Sequence, residues 1–152
     1  MLCKTHFLLG IVFFLVFHNF FHGGNVVVFF FLVLLGSILP DIDERNSTIN
    51  RWSGFLGKVV GFFFRHRGLF HSLLLAAVLF WVMKTYFGAY YALGLSLGYV
   101  AHLAGDAVTL MGVQILYPFS SFRLRGPMRT GGWMEWIIFI LLAVLILREV
   151  VF

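Results

Sequence analysis

The sequence predicts an all-α membrane protein of about five transmembrane helices plus one amphipathic helix lying in the interface. Three observations carry this reading. Of 152 residues, 61% are hydrophobic and only 11% are charged, less than half the charged share that a water-facing domain of this size keeps. The apolar residues fall in long blocks divided by short polar loops, as lipid demands of a chain that crosses it. Most of the Lys and Arg residues gather in two of those loops instead of covering a surface. The length suits one integral membrane domain, residues 1–152, and is too short for two.

The first block covers residues 5–21, broken only by His18 and Asn19. No small-x-small cleavage site follows it and further apolar blocks do, so it reads as a retained helix and not a secretory signal. His22-Gly23-Gly24 turns the chain into the second block, 25–39, which Pro40 ends. A polar stretch follows, and then 52–64, which is too short to span. There Trp52, Phe55, Leu56, Val59, Val60 and Phe63 recur at helical spacing on one face. That pattern predicts the interfacial helix, although three glycines weaken it. The remaining blocks are 69–87, 89–113 and 133–152. Several sit at the lower limit for about 30 Å of hydrocarbon, so local thinning or burial between neighbours must accommodate them.

Charge sets the orientation. With a cytoplasmic N-terminus, Lys4, the five basic residues from Arg45 to Arg67, and Arg123, Arg125 and Arg129 all lie inside, leaving Lys84 and Arg148 outside. This asymmetry predicts a multi-pass protein of the inner (cytoplasmic) membrane with its N-terminus in the cytoplasm. It also accounts for the net charge of +5 through topology and anionic headgroups, so membrane lipids and not nucleic acid are the expected partners. Cys3 is the only cysteine, which excludes an intrachain disulfide.

Ionisable groups at membrane depth are costly and call for a reason. On this topology His6, Asp41, Asp43, His66, His71, His102 and Asp106 come from four segments to one depth, near the inner headgroups. His102 and Asp106 are four apart, on one face of a helix, and an imidazole with a carboxylate at that spacing can grip zinc, manganese or iron. Asp41 and Asp43 could bind metal directly, or one could bind it while the other orients a His ligand. Arg67, between His66 and His71, could hold an anionic phosphate, or serve only as a positive-inside anchor. His18 and His22 fall at the opposite boundary. Glu135 suits a helix N-terminus, Lys84 snorkels outward, and Arg123 and Arg125 could reach headgroups.

The strings Thr5-His6, Leu39-Pro40-Asp41-Ile42-Asp43, His66-Arg67-Gly68-x-x-His71-Ser72, Gly98-Tyr99-x-x-His102-x-x-x-Asp106-x-x-Thr109 and Tyr117-Pro118-Phe119 together resemble the YdjM-like family of inner-membrane, metal-dependent hydrolases, described as LexA-binding. The pattern is distantly similar to zinc-dependent phospholipase C and the P1-type nucleases. The resemblance implies that His6, Asp41, Asp43, His66, His71, His102 and Asp106 are metal ligands, zinc first, and that a metal-activated water attacks phosphorus. No histidine follows His102, so one or two ions are expected and not three. The function expected is hydrolysis of a phosphoester in a lipid or lipid-linked substrate, with Asp41 or Asp43 as general base and Arg67 on the phosphate. Thr109 would orient a ligand by a hydrogen bond. The alternatives are a regulatory or structural membrane protein with a non-catalytic metal, and a metal or proton transporter.

Overall fold

A computed structural model describes residues 1–44, 47–63 and 67–151. Among them are seven α-helices and no strand: α1 (Cys3–Phe17), α2 (Val26–Ile38), α3 (Thr48–Trp52), α4 (Gly54–Phe63), α5 (Leu73–Phe87), α6 (Ala89–Ala107) and α7 (Trp133–Val151). Short 3-10 turns extend α1 through Phe20 and α2 through Asp43. With those extensions, Cys3–Phe20 and Val26–Asp43 are long and apolar enough to cross a membrane. The other long helices fall short of that test for physical reasons. α5 has 15 residues, α6 carries His102 and Asp106, and α7 carries Glu135, Arg148 and Glu149.

Local signals start the helices where the side chains can close the orphan N–H groups. The Asn25 carboxamide accepts from Val27 and Val28 N–H, Ser47 Oγ from Asn50 N–H and Ser72 Oγ from Leu75 N–H, each a side-chain N-cap. At the turn between α5 and α6, Gly88 takes φ +92°, a region that costs other residues strain.

Two stretches differ from the sequence reading. The fourth apolar block was expected to run to Val113, but α6 ends at Ala107. There Thr109 Oγ1 donates to the Asp106 carbonyl at 2.8 Å and accepts from Gly112 N–H, which turns the chain out of the helix. Residues 108–128 then fold back on themselves through bridges between Thr109 and Met128 and between Val113 and Leu124. The helix expected over 52–64 begins at Gly54, as α4, and Trp52 instead closes a separate short helix, α3. α3 stops at Ser53, where Gly54 at φ +58° redirects the backbone. Asn50 Nδ2 clamps the junction by donating to the Ile42 and Gly57 carbonyls, both at 2.6 Å. Trp52 and Phe55 stand exposed on this pair.

The centre of the molecule is the contact of α2 with α6. A Cβ on Gly98 would sit 1.9 Å from the Val33 carbonyl oxygen, and one on Gly36 would sit 2.1 Å from that of Leu95. The two backbones therefore touch directly, as small residues permit between helices. α1 packs beside α2 and α6, with Gly10 against Ser37. The starts of α1, α5 and α7 and the ends of α2 and α6 lie at one end of the bundle, and every buried acidic and imidazole group among the described residues is found there.

Candidate metal centre

Each element delivers one or two groups to this end. α1 brings His6 in its first turn, and the 3-10 turn after α2 brings Asp41 and Asp43. The turn before α5 brings His71, held from above by Tyr99, whose hydroxyl donates to the Phe70 carbonyl at 2.6 Å. α6 brings His102 and Asp106. All but Asp41 are buried beyond solvent reach, and Asp41 is only slightly exposed.

The ring nitrogens face inward because their partners are outside. His102 Nδ1 lies 2.8 Å from the Ser37 carbonyl oxygen. A carbonyl can only accept, so Nδ1 carries the hydrogen and Nε2 presents a lone pair. His71 Nδ1 lies 3.3 Å from Asp43 Oδ2, an arrangement that likewise turns Nε2 inward. The two Nε2 atoms are 3.2 Å apart. Asp41 Oδ1 stands 3.7 Å from each, and Asp106 Oδ2 stands 3.5 Å from that of His71 and 3.9 Å from that of His102. Both carboxylate oxygens thus lie close to the paired imidazoles. Imidazole nitrogen and carboxylate oxygen are donors that suit zinc.

Whether the residues fit a divalent ion is tested by what they lack. Asp106 Oδ2 is fully buried and has no hydrogen-bond partner among the described residues, and the same holds for both ring nitrogens of His6. Such atoms are rare in folded proteins unless something else satisfies them. Asp106 Oδ1 is fully engaged, accepting from Arg67 Nη2 at 2.9 Å and from the Met1 amino nitrogen at 2.6 Å. The donors fit: His71, His102 and Asp106 form one set, and His6, Asp41 and His102 form another that shares His102. The His6 ring stacks on that of His102 with centroids 3.8 Å apart, and His6 Nε2 is 3.4 Å from Asp106 Oδ1.

Six of the seven ligands named from sequence come together here. Asp43 belongs to neither set and instead faces His71 Nδ1, and His66 lies outside the described residues. Arg67 is a buried structural strut, not an exposed anchor. It takes φ +62°, and its guanidinium donates to Thr109 Oγ1, the Gly112 carbonyl and Asp106. Thr109 acts on Asp106 through that strut and through the Asp106 carbonyl. His18 and His22 lie beyond the far end of α1, in a separate cleft with Tyr90.

Sequence reasoning missed two contributors. The Ser37 carbonyl sets the His102 tautomer, and a backbone group leaves no trace in composition. Glu135 stands in the first turn of α7, as its assignment to a helix N-terminus has it, but it is also buried and accepts from Leu2 N–H at 2.6 Å and Gly131 N–H at 2.7 Å. It ties the start of α1, hence His6, to α7. Its neighbour Trp136 takes Lys4 Nζ over its ring at 3.7 Å. Beside the cluster a cleft of about 360 Å³ is lined by Met1, Asp41, Glu44, Thr48, Arg67 and Thr130.

Fold and site define an all-helical protein with two helices fit to cross a membrane and a buried His/Asp cluster able to hold a metal ion. The chain belongs to the YdjM inner membrane protein family, whose profile it matches over residues 1–151. It is similar to the uncharacterized protein YvsG of Bacillus subtilis (strain 168), 34% identical over 135 residues that cover 87% of this chain and 83% of that one. It is also similar to the inner membrane protein YdjM of Escherichia coli (strain K12) and of Shigella flexneri. Both are 36% identical over 100 residues, covering 62% of this chain and 50% of theirs. The match thus spans about half the length of those two relatives. No solved structure matches the chain.

Proposed function

We propose that this protein is a membrane-embedded, metal-dependent hydrolase of a phosphoester in a lipid or lipid-linked substrate at the cytoplasmic leaflet. The observation that carries the reading is the convergence of buried donors in two sets that share His102, one with His71 and Asp106 and one with His6 and Asp41, with the Nε2 atoms of His71 and His102 3.2 Å apart. The E. coli and Shigella relatives, named as inner membrane proteins, support the membrane setting. In this reading α1, α2, α5, α6 and α7 are the five spans, and the Lys/Arg asymmetry puts the N-terminus and the cluster on the cytoplasmic side.

His71, His102 and Asp106 would hold one ion, zinc by its fit to nitrogen and oxygen donors, and His6, Asp41 and His102 could hold another. When bound, the ion supplies Lewis acidity toward a phosphoryl oxygen and a water of lowered pKa. The remaining work falls to the chain. Where it is not a ligand, Asp41, which also lines the cleft, is assigned to accept the proton of the attacking water. Asp43 keeps His71 turned inward, and Arg67 with Thr109 keeps Asp106 Oδ1 occupied so that only Oδ2 faces the ion.

The commitment of Arg67 to Asp106, Thr109 and Gly112 also favours a second reading, a regulatory membrane protein whose metal is purely structural, because a strut is not free to grip a phosphate. One experiment separates the two. The purified protein is analysed for bound metal, and wild type and Asp106→Asn are compared for metal content and phosphodiesterase turnover. A hydrolase loses both together. Bound metal without turnover on any phosphoester leaves the structural reading, and metal-free wild-type protein discards both.

A further inference from the structure

Two clefts meet at Met1, and they differ in chemistry. The polar one reaches the ligand cluster through Asp41 and Arg67. The other, of about 190 Å³, runs between Leu9 of α1, Ala104 of α6, Val108 just after that helix, and Ile138 of α7, with Met1 and Gly105 also in its wall. Its lining is apolar throughout. Gly105 is also packed on the site, since a Cβ there would stand 3.2 Å from His6 Cε1 and 2.7 Å from Met1 Cε. A single glycine therefore separates the apolar groove from an imidazole of the cluster.

We infer that this groove seats one acyl chain of a lipid whose polar head lies in the adjoining cleft. The word substrate for that lipid rests on the hydrolase reading, but the seat itself does not. Size argues for a chain and against a protein partner: a helix with its side chains is about 10–12 Å across, too broad for a slot of 190 Å³. Position argues the same way. The slot flanks α1, which is long and apolar enough to cross a membrane, and Ala104 and Val108 are exposed at its mouth. An apolar slot that shares Met1 with a charged cleft is complementary to an amphiphile and offers nothing polar to a water-soluble phosphoester.

The test uses the full chain, metal-loaded, reconstituted in phosphatidylglycerol vesicles doped with a phosphatidylglycerol that carries a diazirine on one acyl chain. After irradiation, labelled peptides are located by mass spectrometry. Labelling around Leu9, Ala104 and Val108 is expected to exceed that on the exposed α5 residues Val78, Trp81 and Val82 by about fourfold, the factor that one buried methylene supplies. Ala104→Phe, which fills the mouth, should remove the excess while metal content stays unchanged. Ile138→Trp fills the slot from the facing helix and should do the same. Equal labelling of groove and α5, or an excess that survives both fillings, would overturn the inference. A labelled groove with no phosphoester turnover upholds the seat and sinks the hydrolase reading instead.

Discussion

Asp106 is a buried carboxylate whose two oxygens have different surroundings. One oxygen is held by Arg67 and the Met1 amino group, and the other is left bare beside two imidazoles. Removing the strut leaves a buried charge without its partner, so Arg67→Ala is expected to destabilise the fold by about 3 kcal/mol or more; thermal unfolding in detergent measures it. Asp43 makes a quieter contribution through His71. Asp43→Ala should weaken metal binding by roughly 10–100-fold while leaving every proposed ligand in place. Competition against a chromophoric chelator reads this directly, and an unchanged affinity would mean that the His71 ring is held by something else. At this scale much of the site was legible, because His and Asp at membrane depth stand out against apolar neighbours. The division of labour was not. Nothing in Pro40-Asp41-Ile42-Asp43 says which carboxylate would face an ion, since that depends on where the turn between α4 and α5 places the His71 ring.

Among the elements, the α2–α6 contact and the start of α1 set the geometry of the cluster. Gly98 cannot carry a side chain while the Val33 carbonyl lies where its Cβ would be. Gly98→Leu must therefore separate α2 from α6, at a cost of about 3 kcal/mol, and it should lower metal affinity as well because Asp41 and His102 ride on those two helices. A shared fall in melting temperature and metal content checks the coupling; a stable variant with full metal would refute it. Glu135→Ala leaves the Leu2 and Gly131 N–H groups without their buried acceptor, at roughly 1–3 kcal/mol. It should also loosen His6 without touching it, which metal titration would detect. Helix positions along the chain were legible because apolar blocks and caps are local signals. Their ends were less so. The turn after Ala107 comes from Thr109 bonding back to Asp106 and Gly112, and the break at Gly54 comes from a positive φ beside an Asn50 clamp; both are decided by contacts that hydropathy does not register.

For the molecule as a whole, the five-span reading makes a sharp demand: the loop at Asn19 and the loop at Ser120 must lie on opposite sides of the membrane. In a Cys3→Ser background, Asn19→Cys should react with an impermeant maleimide in intact cells and Ser120→Cys only in inverted vesicles. Reaction of both from one side would reject that topology. Metal removal acts at this scale too. Because the cluster joins α1, α5, α6 and the turn after α2, chelation should lower the melting temperature in proportion to the lost binding free energy, with recovery on adding zinc back.

The chain by itself determined the solvent and the chemistry: a lipid-facing composition, the order of the apolar blocks, the family, and a set of imidazoles and carboxylates too costly to be incidental. These are properties of residue type and spacing, which survive without coordinates. What only the folded structure decided is which lone pairs point inward. That choice is made by the Ser37 carbonyl behind His102, Asp43 behind His71, Arg67 behind Asp106 and Glu135 behind α1, partners drawn from distant stretches or from backbone atoms. Long-range hydrogen bonds leave no periodicity in a sequence, so their consequences appear only once the helices are packed.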